Sequence, residues 1–183
     1  MDAHKNDITV AVYDWHSDAE RGVLALQRAG CNMRRISIVG RADETQEHML
    51  GFLGRRDSVR FCGKLGTFWG ALADLLLDSA AVFVPAQGYV FVLGSFAAAK
   101  LSNSRGGIVL GDASALAGAM SALGIPQNSV RRYETALKAH EFILVAHGDE
   151  RDAYRVRELL ATSGSVSFDH LRVPDEVARA ANA

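Results

Sequence analysis

Between Leu65 and Ala99 the chain runs thirty-five residues with only two charges, Asp74 and Asp78. A block this apolar must be buried in a core, against another chain or in lipid, and that choice limits the fold. One membrane span needs about 20 consecutive apolar residues. Leu65 to Val84 has that length, but it holds both aspartates near its centre, each costing about 2.5–3.5 kcal/mol on insertion scales. Pro85-Ala86-Gln87-Gly88 then breaks the block, and the arm from Tyr89 to Leu101 is too short to span. The block is therefore expected to form a helical hairpin over 65–101 that does not cross a membrane. Gly66 and Gly70 share a helical stripe with the aspartates. Further along, Gly107, Gly111, Ala115 and Ala119 recur every four residues, which predicts a second, small-residue helix over Gly106 to Leu123. Small-xxx-small spacing lets helix backbones approach closely.

The flanks are more ordinary. Ile8 to Tyr13 alternates and is β-rich, so it reads as a strand. Ser17-Asp18-Ala19-Glu20 fits a capping box with Ser17 as N-cap, opening a helix to Ala29 with Gly30 as its left-handed C-cap. Arg35 to Val39 reads as a second strand. After the block, Pro126 opens a helix through Lys138, and Glu141 to Ala146 is a strand. Asp149 caps a helix running to about Ser163, with Gly164 as its stop, and Val166 to Val173 is a last strand. The expected architecture is one α+β domain over 1–183. A β-α-β half over 8–41 and an α-β-α-β part over 125–173 form a ferredoxin-like sheet with helices on one face. A helical insertion occupies 42–124, and 174–183 is a fraying tail.

Composition narrows the function. A net charge of −1 excludes a general nucleic-acid binder, which shows a basic excess or stripe. MDAHKND carries no apolar signal region, so the expected setting is the cytoplasm or the inner face of its membrane. Cys31 and Cys62 form no metal motif and are expected to be free thiols. Arg60 and Lys64 flank Cys62 closely enough to lower its pKa. The basic run from Arg55 to Lys64 reads as a solvated loop, with acidic headgroups as the alternative. Gly63-Lys64-Leu65 lacks the hydroxyl residue and spacing of a P-loop. There is no G-x-G-x-x-G after the first strand and no G-x-S-x-G. His4, His16, His48, His140, His147 and His170 show no paired metal spacing. His147 at a strand end, and His16 and Asp14 flanking Trp15, read first as structural groups. No catalytic residue, cofactor or metal ligand follows from these patterns, and the expected protein is not an enzyme.

Ser37-Ile38-Val39-Gly40, Gly63-Lys64-Leu65-Gly66-Thr67-Phe68-Trp69-Gly70, Leu123-Gly124-Ile125-Pro126 with Arg132-Tyr133-Glu134-Thr135-Ala136-Leu137-Lys138, and Phe142 to Gly148 resemble the bacterial general stress protein 17M-like family. The resemblance runs from about Ile8 to Leu171. It implies a ferredoxin-like half-fold around a glycine-rich hydrophobic insertion, often membrane-associated, and no catalytic residue. This chain departs from that pattern with Asp74, Asp78 and Asp112 at positions of glycine. It has Pro85-Ala86-Gln87-Gly88-Tyr89 for Pro-Gly-x-Gly-Pro, Gly94-Ser95-Phe96 for Gly-Pro-Leu, and Arg105 for an acidic residue. The insertion is more charged here, which argues against spanning.

The expected function is a self-associating scaffold or accessory protein, a homo-oligomer with a place in a larger complex. Its apolar interface draws on Gly66, Phe68, Trp69, Gly70, Phe83, Tyr89, Phe91, Phe96, Gly107 and Gly111. Asp74 or Asp78 pairs with Lys100 or Arg105 across that interface, or else faces water. In one alternative, hairpins from several protomers shelter lipid or quinone for a redox complex at the membrane surface. In another, the chain is a membrane-associated stress protein. An enzyme or a small-molecule sensor built on the sheet is the remaining class, by fold analogy alone.

Overall fold

The computed structural model describes residues 7–41, 48–50, 60–62, 65–76, 79–84, 88–94, 108–110, 117, 120 and 125–172. Strand β1 (Asp7–Tyr13) is buried along its whole length. Ile8, Val10 and Val12 face one apolar cluster, and Ala11 and Tyr13 face another. A strand apolar on both faces needs cover on both sides. Helix α1 (His16–Arg28) leads to β2 (Ile36–Arg41). Helix α3 (Gln127–Lys138), β8 (Phe142–Gly148), α4 (Glu150–Leu160) and β9 (Ser167–Arg172) close the described chain. Between these halves lie β3 (His48–Leu50), β4 (Arg60–Cys62), α2 (Gly66–Leu76), β5 (Ser79–Val84), β6 (Gly88–Gly94) and β7 (Ile108–Leu110).

Seven of the strands form one sheet in the order β7-β5-β6-β2-β8-β1-β9, with β3 and β4 as a separate pair. Every pairing in the large sheet is antiparallel except that of β5 with β7. The α1 crossover carries the chain from β1 to β2 past β8, and the α4 crossover carries it from β8 to β9 past β1. The architecture is thus α+β, built on a largely antiparallel sheet.

Several expectations are corrected. The helical hairpin over 65–101 is instead one helix, α2, followed by a β-hairpin of β5 and β6, with Val84 paired to Gly88 beside the Pro85 break. Val82, Phe83, Val84, Tyr89, Val90, Phe91 and Val92 are β-branched or aromatic, which favours strands. An unbroken apolar run carries no period by which to tell a buried strand from a helix. The small-residue helix over Gly106 to Leu123 is likewise corrected at Ile108–Leu110, a strand parallel to β5. The middle of the chain is not a separate helical insertion, because β6 pairs with β2 inside the main sheet. Nor do helices lie on one face. Helices α1, α2 and α4 cover one side with Val23, Leu26, Phe68, Trp69, Leu72, Val156 and Leu160. Val130, Tyr133 and Leu137 of α3, with Met120 and Ile125, cover the other. The N-cap of α1 is Trp15, with no side-chain hydrogen bond, so the Ser17 capping box is also corrected. Other end signals hold. Gly30 takes φ +73°, its N–H donating to Gln27 O and that of Cys31 to Leu26 O, the hydrogen bonds of a Schellman motif. Asp149 and Asp152 form a reciprocal capping box at the start of α4.

The α2 side of the core turns on Trp69, which is fully buried. Its ring meets Phe68 at 4.9 Å and Phe91 at 5.2 Å, both edge-on, and Phe142 at 5.8 Å. The indole sits over Gly40, which pairs with Phe91 across the β2–β6 ladder. A Cβ on Gly40 would lie 2.7 Å from the Trp69 Cη2 and 2.8 Å from the Phe142 Cδ1. Among the described residues no helix is long and apolar enough to cross a membrane.

Gly40→Ala is expected to destabilise the fold by about 1–3 kcal/mol, the usual cost of overpacking. Equilibrium urea denaturation measures it. A double-mutant cycle with Phe142→Leu should show that loss partly relieved; strictly additive losses would contradict the close approach.

Candidate functional site

Strands β1 and β2 run in the same direction, each antiparallel to β8, so their C-terminal ends share one end of the sheet with the start of β8. A cavity of about 320 Å³ opens there, lined by Asp14, Trp15, His16, Arg41, Leu65, His140 and Phe142. Each polar group arrives for a local reason. Asp14, Trp15 and His16 form the turn from β1 into α1. Arg41 is the last residue of β2. Leu65 accepts the first backbone hydrogen bond of α2 from Trp69 N–H at 3.0 Å. His140 follows α3, where the chain turns into β8.

His140 stands at φ +64°, the one non-glycine residue with positive φ among those described. Its N–H donates to Leu137 O at 3.1 Å, and the Glu141 N–H donates to Ala136 O at 3.0 Å. This is the hydrogen-bond pattern that Gly30 completes after α1. A side chain in left-handed geometry costs roughly 1–2 kcal/mol, although histidine tolerates it better than most residues. The His16 ring packs edge-on against Phe68 at 5.5 Å, tying the cavity wall to the aromatic core. Trp15 is 67% exposed beside it. Glu141 lies nearby, and burial, then the Asp14 charge, raises its carboxyl above the usual range.

A second cavity of about 320 Å³ lies against α3, lined by Val12, Arg132, Tyr133, Thr135, Ala136, Ala139, Glu141 and Ser167. There Arg132 pairs with Asp169, which also accepts from the Tyr133 hydroxyl at 2.8 Å. The cavity at the ends of β1 and β2 is the stronger candidate, because it joins an exposed indole to an acid, a guanidinium and two imidazoles. Among the described residues, no three His, Cys, Asp or Glu side chains are grouped to hold a metal.

The residues expected to form an apolar interface are placed differently. Phe68, Trp69 and Phe91 are spent on the protomer's own core, so they are corrected from interface to core. Gly66 is buried, while Gly70 is half-buried, with no atom within 4 Å of where a Cβ would stand. Phe83 lies in β5 and Tyr89 in β6. Asp74 is exposed on α2. Phe96, Gly107, Gly111, Asp78, Lys100 and Arg105 lie outside the described residues. In the sequence Asp14, Trp15 and His16 stand out as a group, but no pattern gives a role to Arg41 or His140. The one signal for His140 is its place just after a helix, where glycine is usual.

His147 pairs with Ile8 across the β1–β8 ladder, and its Nε2 is buried without a hydrogen-bond partner. Burial, with a smaller contribution from the Arg35 charge, lowers its pKa to about 4. The unfolded chain takes up a proton near pH 6.5 that the folded chain refuses until about pH 4. The stabilisation is therefore complete above pH 6.5 and is lost as pH falls through that window, by up to roughly 3 kcal/mol. Urea midpoints measured from pH 7 to pH 4.5 should fall more steeply in the natural chain than in His147→Gln; equal slopes would contradict a buried neutral imidazole. No family model, curated protein or solved structure matches the chain.

Proposed function

We propose that this protein binds a small charged metabolite, without transforming it, in the cavity at the ends of β1 and β2. The observation that carries this reading is the convergence of Asp14, His16, Arg41 and His140, from three separate stretches of chain, on one cavity of about 320 Å³. Pockets with a few converging polar groups over an apolar floor are where small ligands bind, and Phe142 and Leu65 provide the floor. The strand order β9-β1-β8-β2, with crossovers past one strand on each side, supports a ferredoxin-like reading of that half of the sheet. Membership of the general stress protein 17M-like family is put forward with it, on the quoted segments, as is a cytoplasmic setting.

Self-association is a second reading, favoured by the outer face of α2. Thr67, Ala71 and Asp74 are exposed there, around a Gly70 with open space above it. This face is narrower than the apolar interface expected from sequence and holds none of its buried aromatics.

Two experiments separate the readings. Thermal melting against a panel of small charged metabolites should give at least one stabilising ligand whose effect is lost in Arg41→Gln; a panel without effect would sink the binding reading. Gly70→Ala should stabilise the chain by about 0.5–1 kcal/mol, as alanine does over glycine in an open helix position, with the mass in solution unchanged. A fall in mass toward one chain, with lower stability, would favour self-association through α2.

A further inference from the structure

We infer that the ligand of this cavity carries a planar nitrogen heteroaromatic ring of the nucleobase type, stacked on Trp15 and hydrogen-bonded along its edge by Asp14, His16 and His140. This rests on the binding reading above and adds the ligand's class.

The first ground is the Trp15 indole. It is 67% exposed, makes no capping hydrogen bond at the start of α1 and lines the cavity. The other tryptophan, Trp69, is wholly buried against Phe68, Phe91 and Phe142. A helix start that serine or aspartate would serve therefore carries a large apolar ring and leaves it in water. A flat ligand ring laid on that indole removes it from water, and stacking of this kind accepts any ring with a π-face. The Phe142 ring adds apolar wall to the same cavity. Its volume of about 320 Å³, at the low end of ligand pockets, suits one ring system.

The second ground is what stands around that indole. The Asp14 carboxylate and the imidazoles of His16 and His140 line the same cavity. Among the described residues, the side chains of Asp14 and His140 enter no hydrogen bond or ion pair. The His16 ring is set in place by Phe68 at 5.5 Å. An imidazole both donates and accepts, and a carboxylate accepts. The edge of a nucleobase presents N–H donors and ring-nitrogen acceptors that match these groups. A carbocycle of the same shape would cover the indole and leave them without partners. The Asp14 charge also acts on Glu141, and a ring N–H donating to Asp14 would offset that repulsion.

The third ground is His140 itself. It holds φ +64° where glycine would be free of strain. The imidazole is kept at a backbone position that opposes any side chain, and it lies on the cavity.

Isothermal titration with adenine, indole and cyclohexanol tests the ring without any net charge. Adenine should bind about tenfold more tightly than indole, which has one N–H on a ring system of the same shape, and cyclohexanol should not bind. Adenine should also quench the exposed Trp15 emission to saturation. Trp15→Leu should abolish the quenching and weaken adenine about tenfold or more, while Trp15→Phe should keep most of the affinity. His140→Gly should raise the melting temperature, because glycine relieves the backbone, and yet weaken adenine about fivefold. Tighter binding of AMP or of nicotinate than of adenine would support a charged ring compound, a phosphate in the one case and a carboxylate in the other. Indole binding as tightly as adenine would overturn the heteroaromatic edge, as would unchanged adenine binding in both His140→Gly and Asp14→Asn. Adenine binding untouched by Trp15→Leu would overturn the stacking. No binding by any of these probes, while another ligand of the metabolite panel binds, would overturn this inference and leave the binding reading standing. No binding by any probe or panel ligand would overturn both.

Discussion

The indole of Trp69 rests on a strand that has a glycine where it lands, and much of the structure depends on that seat. Gly40 lies between Phe91 and Phe142 on the α2 side of the sheet, and the ring fills the notch its missing Cβ leaves. Without the notch, α2 would have to stand off from β2 and β6. Helix and sheet would then lose a shared aromatic cluster, because Phe68 meets both Trp69 and Phe142. Burying each such side chain contributes about 1.5–3 kcal/mol, and edge-on packing adds to it.

The same cluster fixes the cavity. Phe142 is at once a wall of the cavity and a partner of Trp69. Phe68 holds the His16 ring edge-on. The start of α1, the end of β2 and the start of β8 are therefore positioned by one set of rings. The polar groups at the cavity sit on the ends of well-packed elements, which is where a rigid scaffold most often carries binding residues.

The outer elements are legible in the sequence and the middle is misleading, for a physical reason. Ile8 to Tyr13, Gly30, Asp149 and the helix from Pro126 each carry a local signal: alternation, a left-handed stop, a capping carboxylate or a ring-locked start. The segment from Leu65 to Ala99 has no such punctuation except at Pro85–Gly88. Strand β6 is buried on both faces, with Phe91 and Leu93 on one side and Val90 and Val92 on the other, and a strand covered on both faces loses its alternation, so the clearest β-strand cue is missing there. The break at Pro85 announces a turn, but its residues do not say whether helices or strands flank it. At the cavity, Asp14-Trp15-His16 stands out in sequence. Arg41 and His140 reach it only through strand pairing, and nothing local announces that.

The two ends of the sheet are finished differently. At the start of β1 several charged groups are paired, although the buried His147 Nε2 there has no hydrogen-bond partner. The buried Asp7 pairs with His170 at 3.2 Å, Arg35 with Asp152 at 3.2 Å and Arg172 with Glu150 at 3.7 Å, and Asp149 caps α4. At the other end α1 begins on an indole that caps nothing, and α3 is followed by a histidine in left-handed geometry. Glycine at 140 and serine or aspartate at 15 would serve folding better. These two local choices oppose stability and lie at one cavity, which is in keeping with the proposed binding reading. That contrast singles out this end of the sheet, and the cavity in it, over the equally large hollow against α3.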